Sequence, residues 1–559
     1  MKVLPFLIKY SPWLLVLSIG TGVISGVASS FMIALVNERV SKIENPAEYT
    51  AAIFMAVAFI ALMAELSSRL ALLRLSTRAV RKMRLALCDQ ILLSSLRNIE
   101  RQGGDRLMAA LTEDIHRVTE ALTQFPVQCI NLAIITGCFS YLFYLSWELS
   151  LIFLTLFSFG IFIHELIVRR TRPLLEQGRD KWDELISHYN GLIDGNKELK
   201  IHAQRRLGFS NEELRPTAQK MMELSWGWNK IFSVAESYGQ FIYYALIGII
   251  LFVVTQYATY PAEVLTGFVL MLLFMSGPIS AIVGSFPVFH SADISMEKIQ
   301  SLDLSLQKDD ERDINDLSEA AHRSIEQFES IELKDFCYEY EHEEGESGFT
   351  LGPLNIAFKP GELVFVIGGN GSGKSSFARL FVGLYSQTSG EIIFNGKEVT
   401  TETKDAYRQH FSVIFSDYYL FKTLYGIFDD SSYEKAEHYI NRLQLQDKVS
   451  IIDRQLSTLD LSQGQKKRLA LLTAFIEGRD IYLFDEWAAD QDPEFKRVFY
   501  HEILPELKAQ GKTLIVISHD DYYYDVADRV VRFAEGQIVE DYYKDKTTEK
   551  TAPVLEKSE

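Results

Sequence analysis

The chain is 559 residues long, 48% hydrophobic and 12% aromatic, with a formal net charge of −18. That length implies two or more domains, and the acidic balance excludes the broad basic face that nucleic-acid binding requires. The charge is unevenly placed: residues 1–300 hold 27 Lys and Arg against 25 Asp and Glu, while the remainder holds 29 against 49. An apolar first part is therefore followed by an acidic, water-soluble one.

About 20 apolar residues cross the roughly 30 Å hydrocarbon layer as a helix. Runs of that kind predict six spans, near 13–36, 51–73, 121–147, 149–168, 237–260 and 265–289. The second is interrupted by Glu65 and Arg69, and little more than Trp147 and Glu148 separates the third from the fourth, which predicts a tight hairpin. Segments 69–120 and 169–236 carry 10 and 12 Lys and Arg, against two in 37–50 and none in the other two short loops. The positive-inside rule then places the N-terminus, both long segments and everything after residue 290 in the cytoplasm. These long segments are polar and poor in Pro and Gly, and are expected to continue the membrane helices into water.

Some residues within the spans admit two readings. Glu65, His164 and Glu165 could line a polar pathway, but all three lie toward the expected cytoplasmic ends, where helices re-enter water, and that is the preferred reading. Tyr238, Tyr243 and Tyr244 fit a lumen or interfacial anchoring, and Pro278 and Pro287 are positioned to kink the sixth span. The four cysteines, Cys88, Cys129, Cys138 and Cys337, show no metal-type spacing and are expected to be buried or inert thiols.

An acid-rich stretch at 296–328 reads as a connector. Beyond it, ELVFVIGGNGSGKSSFARL predicts a strand, a glycine-rich turn and a helix. It matches G-x-x-x-x-G-K-[ST] in full, with Gly368, Gly373, Lys374 and Ser375. Glycines let backbone N–H groups wrap phosphates, and the helix N-terminus adds a favourable dipole. Lys374 would neutralise β/γ-phosphate charge and the Ser375 hydroxyl would ligate Mg²⁺. Further on, LSQGQKKR (461–468) has the serine, glycine and three cations of a second phosphate cap opening a helix. IYLFDE (481–486) predicts a buried strand delivering Asp485, suited to hold Mg²⁺, and Glu486, suited to polarise a water. A second buried strand, in TLIVISHDD, delivers His519 toward a γ-phosphate.

The order GGNGSGKS, LSQGQ, IYLFDE and ISHD resembles the nucleotide-binding domain of ATP-binding-cassette (ABC) transporters, and six spans ahead of it resemble that superfamily's exporters. The resemblance implies an all-α six-span transmembrane domain (1–295), the connector (296–328), an α/β P-loop ATPase domain (329–545) and a polar tail (546–559). It implies ATP binding by Tyr340, stacked on adenine, and by Gly368, Gly369, Asn370, Gly371, Ser372, Gly373, Lys374, Ser375 and Ser376. It further implies Mg²⁺ on Ser375 and Asp485, catalysis by Glu486 and His519, and Asp492 in the loop after the glutamate. In this family the signature segment (Leu461, Ser462, Gln463, Gly464 and Gln465) caps ATP held by a second nucleotide domain. One cassette and six spans are half the usual complement, so the expected partner is a second identical chain.

One position departs from the family pattern. Where most members place a glutamine that touches Mg²⁺ and faces the membrane domain, VIFSDYYLF (413–421) has Ser416. With GNKELKIHA, FDEWAADQDPEFK and SHDDYYYDVADR, it resembles the bacterial cyclic-peptide and siderophore-precursor exporters, the group of the syringomycin and pyoverdine export proteins. That likeness implies ATP-driven efflux of a peptide-derived small molecule across the bacterial cytoplasmic membrane, in contact with membrane lipid. The alternative within the same architecture is a lipid flippase.

Overall fold

The computed structural model describes residues 12–41, 50–305, 326–340, 348–426 and 432–544. The chain forms two compact units: residues 1–87 with 105–302, and residues 88–104 with 303–559. The tail at 546–559 lies outside the described residues, as does most of the connector.

Among the described residues of the first unit, six helices are long and apolar enough to cross a membrane. They are α1 (Pro12–Ser41), α2 (Thr50–Leu93), which ends in the second unit, α4 (Gly104–Leu145), α5 (Trp147–Arg169) continued by α6 (Arg172–Asp194), α8 (Ala203–Tyr257) and α9 (Ala262–Ser305). The short helices α3 (Leu96–Gln102) and α7 (Asn196–Ile201) lie between them. Helices α2 and α9 each run 44 residues. At 1.5 Å per residue that is roughly 66 Å, about twice the hydrocarbon thickness. In each of these helices polar residues continue the apolar run. Large apolar side chains such as Phe59, Phe162 and Phe252 point away from the protein, as a lipid solvent allows.

Lipid supplies no hydrophobic drive for helix association, so close backbone approach and interhelical hydrogen bonds must hold the helices together. Between α1 and α2, Ser18 Oγ donates to Ser68 O (3.0 Å) while Ser68 Oγ donates to Ser18 O (2.8 Å). Between α1 and α4, Ser30 Oγ donates to Ile134 O at 3.2 Å. A Cβ at Gly26 would lie 2.6 Å from that of Ala133 and 2.7 Å from the Ala133 carbonyl carbon. The hairpin after α4 turns at Ser146, whose extended backbone ends one helix while its hydroxyl caps the next at Leu149 N. An apolar cluster joins α4, α5, α8 and α9 through Leu142, Phe153, Ile250, Phe268 and Met271.

Tyr243 belongs to that cluster and is buried, whereas Tyr244 is exposed. Two of the polar-pathway candidates pair along their own helices: Glu65 with Arg69 at 2.5 Å and Glu165 with Arg169 at 3.0 Å. Helix α9 continues through Pro278 and Pro287 to Ser305, so the first ten residues of the expected connector are helical.

The second unit contains two main sheets. Strands β1 (Ile331–Glu339), β2 (Thr350–Phe358), β4 (Ser389–Phe394) and β5 (Lys397–Glu398) form an antiparallel sheet in the order β2-β1-β4-β5. The other sheet contains β3 (Leu363–Gly368), β6 (Phe411–Ile414), β9 (Ile481–Asp485), β10 (Thr513–Ile517), β11 (Arg529–Ala534) and β12 (Gln537–Tyr543). Its order is β12-β11-β3-β10-β9-β6, parallel except for β12 at one edge. A small hairpin of β7 (Ile451–Ile452) and β8 (Gln455–Leu456) completes the strands.

Central strands β9 and β10 are buried throughout. Alternate residues feed opposite faces: Phe365, Tyr482 and Phe484 enter one core, Val364, Val366 and Leu483 the other. Parallel sheets covered on both faces read as unbroken apolar runs, and VFVI and IYLF have that pattern.

Residues 88–104, which lie in the chain between the second and third spans, pack with the second unit. There α3 is capped by Ser95, Glu100 accepts from Tyr385 Oη at 2.5 Å, and Arg97 lies over the Tyr338 ring at 5.3 Å. A boundary drawn in chain order at residue 295 does not anticipate this exchange.

The close α1–α4 contact predicts that Gly26→Ala lowers the unfolding temperature in detergent, because overpacking costs on the order of 1–3 kcal/mol. Gly20 faces open space on the same helix, so Gly20→Ala should leave the temperature unchanged or slightly raised. Equal melting curves for the two variants would refute close packing at Gly26.

Candidate functional site

Strand β10 pairs with β3 on one side and β9 on the other, with Ile517 opposite both Val366 and Asp485. Three parallel strands in that register bring their C-terminal ends to one edge, the place where open α/β sheets bind ligands. From β3 the chain enters the glycine-rich turn, from β9 it delivers Asp485 and Glu486, and from β10 it delivers Ser518 and His519.

The turn depends on backbone conformations that glycine adopts freely. Gly373 has φ +100°, and a Cβ there would come within 2.7 Å of Leu351 Cδ1. Helix α10 (Lys374–Phe381) starts directly after it, so its free N–H groups face the turn. Lys374 is buried, and its Nζ donates to Gly368 O (3.0 Å) and Gly369 O (2.9 Å). Burial lowers its pKa, offset in part by the carboxylates of Glu486 and Asp485. Ser372 Oγ is buried with no protein partner among the described residues. Ser375 Oγ donates to Asp485 Oδ1 at 3.4 Å. Tyr340 is brought to the same turn, its Oη 2.7 Å from Ser376 Oγ and its ring edge-on to Tyr338.

Asp485 is 1% exposed, and burial raises its pKa, an effect opposed by the Ser375 hydroxyl and reinforced by the neighbouring Glu486 charge. The next residue, Glu486, has φ +52°, a left-handed conformation disfavoured for a side chain of its size. Its carboxylate meets His519 Nε2 at 2.9 Å, so the two residues expected at a γ-phosphate come together.

The 461–468 segment forms the start of a helix, α13 (Gln463–Glu477), the two helices before it being α11 (Lys404–Arg408) and α12 (Ser432–Arg442). Ser462 caps it reciprocally with Gln465, at 3.3 and 3.2 Å. Two of the three cations expected at that end have partners elsewhere. Lys467 Nζ instead donates to Glu486 O at 3.2 Å and pairs with Asp490 at 2.8 Å. Arg468 pairs with Asp492 at 2.5 Å, bonds Gln491 Oε1 and lies 3.7 Å above the Phe495 ring. Asp492 also caps the helix that follows it, through Phe495 N. Neither internal role was visible in a sequence where three adjacent cations looked alike.

Ser416 sits exposed in a turn just after β6. The adjacent Asp417 pairs with Arg379 at 3.0 Å, and Arg379 also reaches Glu100 at 3.5 Å. These bonds tie the segment after β6 to α3.

Hard oxygen donors converge where Ser375 meets Asp485, the donor type Mg²⁺ takes. Among the described residues no three His, Cys, Asp or Glu side chains group to hold a metal. A cation there would draw its other ligands from phosphate and water.

The raised pKa of Asp485 carries a stability consequence. The native state holds its proton to a higher pH than the unfolded chain does, so stability falls as pH rises through the native pKa. Above the ordinary carboxylate range this burial is therefore a cost in the nucleotide-free protein. Asp485→Asn should raise the unfolding temperature at pH 7, and the difference should close below about pH 4. An equal or lower temperature at pH 7 would count against that cost.

Residues 12–279 match the family model for the ABC transporter transmembrane region, and residues 351–489 match that for ABC transporter. The chain is 34% identical to the ATP-binding protein SyrD of Pseudomonas syringae pv. syringae, over 95% of this chain and 94% of that protein. It is 24% identical to an ATP-dependent lipid A-core flippase of Thiobacillus denitrificans and 23% identical to one of Vibrio cholerae. Each of these covers 83% of this chain and 80% of the relative.

Proposed function

Because the chain belongs to the ABC transporter family, with the membrane and ATPase parts fused as in exporters, it is a multi-pass membrane ATPase, and we propose that it exports a peptide-derived metabolite. The supporting observation is its likeness to SyrD, at 34% identity over nearly the whole chain against 23–24% for the flippases. A second observation bears on the lipid alternative. The six apolar runs hold one Lys or Arg between them, Arg69, and it is paired with Glu65. An anionic lipid headgroup would demand unpaired cations along its path. The proposed setting is the bacterial cytoplasmic membrane, with the N-terminus and ATPase unit in the cytoplasm.

In the proposed reaction, Lys374 and the N–H groups from Gly368 to Ser376 hold the ATP phosphates, with Ser372 Oγ as one available donor. Tyr340 stacks on adenine. Ser375 and Asp485 would hold Mg²⁺, which would supply positive charge against the phosphates. Glu486 orients and polarises the attacking water, and His519, 2.9 Å from it, steadies that carboxylate and the γ-phosphate edge. Ser462 and Gly464 cap ATP held by a second copy of the chain, and Asp492 holds Arg468 beside that segment. Ser416 is too short to take the glutamine's reach from metal to membrane part, and the Asp417–Arg379–Glu100 contacts stand closest to that role.

Membrane vesicles with the ATPase unit outward should take up a cyclic peptide in an ATP-dependent manner. Glu486→Gln should bind ATP yet lose uptake and hydrolysis together, by about 10²-fold or more. ATP-dependent movement of lipid A-core with no peptide uptake would favour the flippase reading. Hydrolysis at the wild-type rate in Glu486→Gln would remove Glu486 from the reaction.

Head-to-tail pairing is tested by complementation. Mixing Lys374→Ala with Ser462→Arg chains puts both defects in one site of each heterodimer and neither in the other. ATPase activity should return above that of either variant alone. Verified heterodimers without such recovery would count against a site shared between two chains.

A further inference from the structure

Glu486 adopts φ +52° although it is neither Gly nor Asn. Such a conformation is strained for a side chain of this size and persists only where surrounding contacts enforce it. Besides the carboxylate's contact with His519, Glu486 is held by its backbone. Its N–H donates to Ile517 O at 3.0 Å, and its carbonyl accepts from Ala489 N at 3.3 Å and from Lys467 Nζ at 3.2 Å.

Lys467 is 6% exposed, unusual for lysine unless its charge is paired. Its second partner is Asp490, at 2.8 Å. The contact is returned: Trp487 Nε1, next in the chain to Glu486, donates to Lys467 O at 2.8 Å. Residue 467 thus gives one hydrogen bond to residue 486 and takes one from residue 487. Trp487 is buried, packed on Phe499 with ring centroids 4.3 Å apart. The same helix face continues toward its N-terminus, where Gln491 Nε2 donates to Gly464 O at 3.0 Å.

We propose that Lys467 is a positioning residue: with Trp487 it clasps the α13 helix to the end of β9 and holds Glu486 in the left-handed conformation that aims its carboxylate. This rests on the reading of Glu486 as the group that orients water. Lys467 itself touches no phosphate. Its effect is on turnover, and because α13 begins with Ser462 and Gly464, displacement of that cap moves the glutamate's backbone with it.

The test uses the purified full-length protein in lipid, with kcat and KM for ATP, AMP-PNP binding and unfolding temperature measured for each variant. Lys467→Met removes the donor and keeps much of the stem. It should lower kcat about tenfold or more, with KM and AMP-PNP affinity within about twofold, the pattern of an interaction made only in the transition state. Lys467→Arg, which restores a cation and donors, should recover kcat to within about threefold of wild type. Trp487→Phe removes the returning hydrogen bond and should lower kcat about threefold or more, again at constant KM.

A Lys467→Met kcat within twofold of wild type, beside an inactive Glu486→Gln, would overturn the clasp and leave the glutamate's role standing. A wild-type rate in Glu486→Gln would remove both. Parallel loss of kcat and AMP-PNP binding would mark Lys467 as merely structural and also overturn the proposal. Should Lys467→Met fail to fold, Trp487→Phe decides: a wild-type kcat there overturns the clasp.

Discussion

The parallel register of β3, β10 and β9 is the constraint on which the site depends. Ile517 lies opposite both Val366 and Asp485, so the ends of the three strands cannot slide relative to one another without breaking ladders buried on both faces. A slip of one residue would also turn every core side chain to the wrong face. The glycine-rich turn, the Asp485–Glu486 pair and the Ser518–His519 pair therefore share one edge, although more than 140 residues of sequence separate the first from the last. The hydrophobic burial of Phe365, Leu483 and Val516 positions chemistry that none of those residues performs.

At that edge polar groups are used against their solvation preference. Asp485 is held in a buried place that favours its neutral form, and Lys374 in one that favours loss of its charge. Each group costs stability in the absence of a ligand of opposite charge, and the proposed nucleotide and metal would supply both. Backbone conformation follows the same pattern. Gly373 adopts φ +100° without penalty, whereas Glu486 bears a penalty at φ +52° and needs partners to keep it.

The membrane unit obeys a different constraint. Its helices face a solvent as apolar as their own side chains, so contacts at glycine and serine replace a hydrophobic core along α1. The reciprocal Ser18–Ser68 bonds and the contact of Gly26 with Ala133 are of this kind. Farther along the chain, the Glu65–Arg69 and Glu165–Arg169 pairs neutralise charges locally. The short helix α3 packs in the ATPase unit through Glu100, Tyr385 and Arg379.

Six spans, the phosphate turn and the carboxylate pair were legible in the sequence because each is a local pattern: a run of about 20 apolar residues, fixed glycine spacing, and an apolar strand ending in two acids. The resemblance then assigned the order of the site. What the sequence could not decide was where identical residue types point. Lys466, Lys467 and Arg468 are adjacent cations, yet the fold buries Lys467 against the Glu486 carbonyl and turns Arg468 to Asp492 and Phe495. Tyr243 and Tyr244 are adjacent as well, and a 100° step around the helix buries one and exposes the other. Residues 88–104 read as part of the membrane half by their place in the chain, and tertiary contacts carried them to the ATPase unit. Local pattern determined the elements and the types of chemistry at their ends, because propensity, periodicity and glycine conformation act within a few residues. The partners of individual charges and rings were decided by tertiary packing, since burial and hydrogen bonding depend on which distant segment arrives.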